Sequence, residues 1–147
     1  VGGGRRLALE EVIPKPRRGS GREELLERRR VIRDQERNNK DEVRDRDPHC
    51  RWPHATAHER LSCSLQPREI AHRKSKGAGG NKDGSRNTVL NLISFCRPVH
   101  QGPGSIHAGK KRVEPLTEYG TRGPCVYLEK RGDVWLEIGR DPIDDQW

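Results

Sequence analysis

Apolar positions along this chain are sparse and fall into a few short groups. The first lies within a charged stretch. Ser20 and Glu23 have the spacing of a capping box ahead of Glu24, Leu25, Leu26 and Glu27, which predicts a helix near 21–38. Its apolar positions, Leu25, Leu26, Val31 and Ile32, form one thin seam, narrower than the stripe of a helix packed broadly on a core. Arg22, Arg28, Arg29, Arg30, Arg33 and Arg37 cover most of the remaining surface, and Glu24–Arg28 and Arg30–Asp34 are spaced for ion pairs. Residues 38–48 alternate charge without apolar periodicity and read as a solvated linker ended by Pro48.

Three further groups follow. Pro53 suits the first turn of a short helix through His54–Leu61, which is broken by Pro67. Residues 88–96 are the most apolar segment, and their β-branched and aromatic content predicts a buried strand. Near the C-terminus, 125–129 and 134–138 alternate with period two around Lys130–Asp133 and predict a β-hairpin at 125–138. The alternation sends Val126, Leu128, Val134, Leu136 and Ile138 to one face and Tyr127 and Trp135 to the other; 88–96 is expected as the third strand. The basic, glycine-rich run 73–84 has the composition of a flexible linker. The expected fold class is therefore a mostly irregular, partly disordered α+β chain. Its expected parts are a flexible arm with the Arg-rich helix (1–48), a basic Cys/His segment (49–112) and an acidic segment with the hairpin (113–147).

Composition agrees with this sparseness. Only 29% of the 147 residues are hydrophobic and 35% are charged, enough apolar material for at most one small folded unit. No run approaches the length of a membrane span, and the first residues lack the apolar stretch of a secretory signal, so an intracellular location, cytoplasmic or nuclear, is expected. Charge is uneven: residues 49–112 carry 12 basic against 3 acidic side chains and all six histidines, whereas 113–147 carry 4 basic and 8 acidic ones. That tail is expected to fold back onto the basic middle. Arginine outnumbers lysine 22 to 8, which favours phosphate as the partner because guanidinium pairs with it bidentately.

Candidate chemistry is concentrated in residues 49–63. Cys50, His54, His58 and Cys63 supply two thiols and two imidazoles, a donor set suited to structural zinc. All four meet only if the helix ends near Leu61, because Cys63 lies about half a turn round from His54. Cys96, His100 and His107 form a second group that can reach Cys50 or Cys63 across the fold. Solvent exposure of the same histidines is the simpler expectation. Catalytic motifs are missing: Ala55 stands where a zinc-protease helix needs glutamate, Ser85–Arg86 follow Gly79–Gly84 where a phosphate loop needs lysine and a hydroxyl, and no Cys-x-x-Cys or Gly-x-Ser-x-Gly occurs. Arg131-Gly132-Asp133 is read as a hairpin turn with Gly132 at positive φ, and Gly109–Arg112 as a short basic cluster.

The sequence thus points to a small non-enzymatic RNA-binding accessory protein, with no membrane association, whose phosphate contacts come from Arg22, Arg28, Arg29, Arg30, Arg33, Arg37, Arg73, Lys74, Lys76, Lys110, Lys111 and Arg112. Two alternatives stand beside it. One is a zinc-stabilised module that binds a protein partner. The other is a frame overprinted on another gene, without defined activity.

Overall fold

The computed structural model describes residues 21–74 and 84–143. The elements are α1 (Arg22–Arg46), α2 (Ala57–Ser64), β1 (Arg68–His72), β2 (Leu92–Cys96), α3 (Arg97–Gln101), β3 (Lys111–Pro115), a 3-10 turn (Gly120–Arg122), β4 (Cys125–Arg131) and β5 (Val134–Arg140). The fold is mixed α+β, as the patterning predicts. Strands β1 and β2 form an antiparallel pair that runs directly into α3, and β3-β4-β5 form a second antiparallel sheet.

Helix α1 continues eight residues past its expected end, so residues 38–46 are not a linker. Tertiary contacts supply what local periodicity lacks. Val43 is fully buried with Val89 and Leu92, Asn39 donates to the Asn87 carbonyl at 2.7 Å, and Lys40 pairs with Glu36 at 2.8 Å. At the other end Gly21 is the N-cap and makes no side-chain cap; Ser20 lies outside the described residues. Of the apolar seam only Ile32 is buried, while Leu25, Leu26 and Val31 stay exposed.

Only residues 92–96 of the expected strand 88–96 are extended, and they pair with β1, whose residues alternate too weakly to predict a strand. The hairpin's third strand is instead β3, from Lys111↔Glu129 to Pro115↔Cys125. The expected hairpin faces are also corrected. Tyr127 turns inward and is almost fully buried, whereas Val134 and Leu136 are exposed. The hairpin register is the reason: Arg131 pairs with Val134 and Glu129 with Leu136, so these apolar residues share a face with Tyr127 and not with Val126 and Leu128; a bulge, where Tyr127 pairs with Gly139 but Leu128 with Glu137, then leaves Ile138 without a partner. Gly132 takes φ +61° at the turn, as predicted.

Trp52 anchors the main core, meeting Phe95 and Tyr127 edge-on at centroid distances of 6.1 and 5.7 Å, with Ala71, Ile93, Val99, Val113 and Cys125 around them. Every residue of β2 is buried, Leu92 under α1 and Ile93 and Phe95 in the Trp52 core.

A buried ionic network joins these layers. Asp47, the C-cap of α1, accepts from Arg46 at 2.7 Å and from the Ser94 amide at 3.1 Å. Arg51 donates to Asp141 at 2.5 Å, to the Gly123 carbonyl at 3.2 Å and to the Thr121 carbonyl. Asp141 also accepts from the Cys125 amide and the Tyr127 hydroxyl, both at 3.0 Å. Part of the acidic tail thus does return to the basic middle; residues 144–147 are outside the described region. Burial disfavours the Arg51 charge, but Tyr127, Asp141 and Asp47 outweigh it and hold the guanidinium protonated. Arg51→Ala leaves the Asp141 carboxylate without its guanidinium, while Asp47 keeps Arg46, and should cost about 3 kcal/mol in urea unfolding. Arg44→Ala, which breaks an exposed pair with Asp41, should cost less than about 1 kcal/mol.

Candidate metal centre

Four side chains from separate parts of the chain converge beside the Trp52 core. Cys50 lies in the segment following α1, four residues beyond its last residue, Arg46. Its neighbour Arg51 donates its amide to the Ser94 carbonyl at 3.0 Å, fixing this segment along β2. His54 follows Pro53, which packs so tightly on Gly139 that a Cβ there would sit 2.8 Å from the ring. Cys63 lies in the last turn of α2, and Cys96 ends β2 and serves as N-cap of α3.

The ligand atoms of Cys50, His54, Cys63 and Cys96 all lie within 4.8 Å of one another, so the four residues can hold a metal ion. His54 Nε2 is 3.7 Å from Cys50 Sγ and 3.8 Å from Cys96 Sγ. A tetrahedral centre with metal–sulfur bonds near 2.3 Å and metal–nitrogen bonds near 2.1 Å has sulfur–nitrogen edges of about 3.6 Å. The observed edges therefore already approximate one tetrahedral face.

The electrostatics suit thiolate ligation. A hydrogen bond from Cys50 brings the Cys96 thiol down to about 5, against its own burial. The same bond, followed by burial, pushes Cys50 up. Cys63 is raised by burial first and then by Cys96. Of the three thiols, Cys96 is thus the one whose surroundings favour the thiolate, the form that ligates a metal. Cys125, the fourth cysteine, is buried away from this group; desolvation raises it to about 11, and its sulfur faces the Gly120 and Gly123 carbonyls.

Three of the four predicted ligands are in the cluster. The fourth is Cys96 in place of His58, which is exposed on α2. Helix α2 is the reason: it begins at Ala57, capped reciprocally by Thr56 and Glu59, so His54 precedes the helix and does not share a helical face with His58. The Thr56-x-x-Glu59 capping box was the available signal for that start. His100 and His107, grouped with Cys96 by sequence, instead meet each other at 4.4 Å between ring centroids. His100 Nδ1 is 2.8 Å from Glu69 Oε2, and Arg97 Nε is 2.7 Å from Glu69 Oε1. Burial raises the Glu69 carboxyl, but Arg97 and then His100 outweigh it and hold it below the ordinary range.

The predicted phosphate-contacting residues separate into two groups. On α1, Arg22, Arg29 and Arg33 are exposed and form no ion pair among the described residues. Arg30 pairs with Glu27 and Asp34, each at 3.9 Å, Arg37 pairs with Asp34 at 3.3 Å, and Arg28 is half-buried. In the second group Arg73 and Arg112 share Glu114, and Arg112 lies 4.8 Å from the Trp135 ring. Lys111 pairs with Glu129 at 3.6 Å and lies 5.2 Å from the Trp52 ring, while Lys74 and Lys110 are exposed. Lys76 is outside the described residues, as is most of the predicted 73–84 linker.

Fold and site define a small α+β protein with a three-cysteine, one-histidine candidate metal centre. Compared with protein-family models, curated proteins and solved structures, the chain matches none.

Helix α2 buries none of its own residues, so Cys63 is its principal tie to the core. Cys96→Ser should lose bound metal as completely as Cys50→Ser, whereas His58→Ala should retain it; metal content by mass spectrometry of purified protein checks this. Chelation should strip amide protection from 57–64 before it affects β4 and β5.

Proposed function

We propose that the protein binds RNA through arginine contacts to phosphate, on a scaffold held together by structural zinc. The donor set carries the choice of metal, because three thiolates and one imidazole in a closed tetrahedron favour zinc over harder cations. One observation carries the choice of partner. The first turns of α1 present Arg22, Arg29 and Arg33 to solvent without carboxylate partners among the described residues, and Ile32 is the buried apolar residue there. A projecting cationic helix of this kind needs no base readout to hold a phosphate backbone. Binding should weaken steeply with salt, and Arg22→Gln, Arg29→Gln and Arg33→Gln combined should flatten the log K against log salt slope by about 2–3. Anisotropy of a labelled RNA across a sodium chloride series tests it; salt-independent binding, or none, refutes the reading.

The Glu69–His100–His107 array favours a second reading, cleavage of the phosphodiester, against the sequence expectation of a non-enzyme. Glu69 Oε2, 2.8 Å from His100 Nδ1, can accept a proton from it, and in that tautomer Nε2 is left as an acceptor; the His107 ring lies 4.4 Å away between centroids. Nε2 would take a proton from water as its oxygen attacks phosphorus and the bond from phosphorus to the departing sugar oxygen breaks; that oxygen regains a proton from solvent. Nicking of supercoiled plasmid or cutting of labelled RNA, measured with magnesium and with manganese, should then fall at least 100-fold in His100→Ala while zinc content is unchanged. Equal rates in both proteins would remove this reading and leave binding alone.

A further inference from the structure

On the side of the metal centre facing α1 lies an open cleft of about 630 Å³. Arg44 of α1, His49, Arg60 of α2 and Arg68 of β1 line it, together with Cys50, His54, Cys63 and Cys96. No aspartate or glutamate is part of its wall. None of these four basic residues belongs to the set that the sequence assigned to phosphate.

Charge accounting decides what the cleft attracts. Three thiolates and a neutral imidazole around a divalent cation leave one formal negative charge. The two guanidinium groups that form no ion pair among the described residues, Arg60 and Arg68, more than offset it. Arg44 is already held by Asp41 at 2.5 Å, and Arg60 donates one bond to the His54 carbonyl at 3.2 Å. Arg68 and His49 form no ion pair among the described residues, and both are exposed. In a cleft without carboxylates this surplus positive charge is uncompensated by protein, and the forked donors of Arg60 and Arg68 match phosphate oxygens. The volume is that of a small-ligand site, large enough for a phosphate and its sugars.

We infer that this cleft, walled by Arg44, His49, Arg60 and Arg68, binds a phosphodiester of the RNA strand next to the metal centre. The inference rests on the proposed RNA binding and deepens it. Helix α2 supplies Arg60 and is tied down through Cys63, so the metal sets the geometry of the phosphate site without touching the phosphate. Metal removal should therefore abolish cleft binding while leaving the α1 arm cationic.

The test uses the metal-loaded full chain, a fluorescein-labelled single-stranded RNA of mixed sequence, and the double variant Arg60→Gln/Arg68→Gln. Both side chains are exposed, so folding and metal content should hold, and both are checked by circular dichroism and mass spectrometry. Affinity near 0.1 M salt should fall about tenfold and the salt slope should flatten by about 1–2. The charge-matched variant Arg86→Gln/Arg131→Gln, whose residues do not line the cleft, should fall less than threefold. Equal losses in the two variants overturn the inference, as does displacement of RNA by polyglutamate at the same charge concentration, which would mark a carboxylate site. If the native chain binds no RNA, the proposed function fails on its own. Inorganic phosphate followed by NMR then decides the cleft separately: shifts confined to His49, Arg60 and Arg68 support it, and their absence refutes it.

Discussion

The fold depends on Arg51 being charged and buried between Asp47 and Asp141. These three residues come from the end of α1, the segment carrying Cys50 and His54, and the strand end after β5, whose apolar contact is made mainly by Trp52, Pro53 and Ile138. A guanidinium has five donors in fixed directions, and here they reach two carboxylates and the carbonyls of Thr121 and Gly123. Buried ion pairs are a poor source of net stability, since desolvation offsets most of the attraction. Their directionality is what matters. In a chain with so little apolar material, one satisfied hub specifies how helix, hairpin and sheet meet where a core of nine buried residues would leave alternatives open.

The metal centre sits on the other consequence of that hub. Arg51 is fixed, so its neighbours Cys50 and Trp52 are fixed as well, Trp52 into the core and Cys50 toward His54. Cys96 is equally constrained by the buried strand β2. Only Cys63 arrives on an element with no buried residues. The site is therefore three parts preorganised and one part recruited. A metal ion held by all four would tie α2 to the core, and its free energy of ligation would become stability of that corner. The low pKa of Cys96 fits the same division, because the preorganised side holds the thiolate that a cation would meet first.

Legibility followed the range of the interactions. The hairpin, its Gly132 turn and the start of α1 were readable because alternation, turn chemistry and charge spacing are local. The second half of α1 was not, since Val43 and Asn39 make it helical through contacts with Val89 and Asn87. Strand β1 was missed because Glu69 and His72, polar in sequence, point to specific partners, Glu69 to His100 and His72 to Asn87 at 3.1 Å. The ligand set was three-quarters legible: proximity suggested His58, and it is the bond from the Arg51 amide to the Ser94 carbonyl, laying the 50–54 segment along β2, that brings Cys50 to Cys96. The capping box at Thr56 would have separated His54 from the helix and weakened His58.

Arginine count alone overstated the cationic surface. Arg46 and Arg51 serve the hub, Arg122 pairs with Glu42, Arg97 with Glu69, and Arg140 with Glu137 at 2.6 Å. These guanidiniums connect secondary-structure elements or settle local carboxylates and contribute little field outside the molecule. Among the described residues, exposed cations in no ion pair include Arg22, Arg29 and Arg33 on α1, Arg60 and Arg68 at the cleft beside the metal ligands, and Lys74, Arg86 and Lys110 elsewhere. Structural arginines and solvent-facing ones have the same letter in sequence, and burial of the partner is what separates them. The α1 cations and the cleft are held relative to one another because α1 is packed on β2 and Cys96, at the end of β2, lines the cleft.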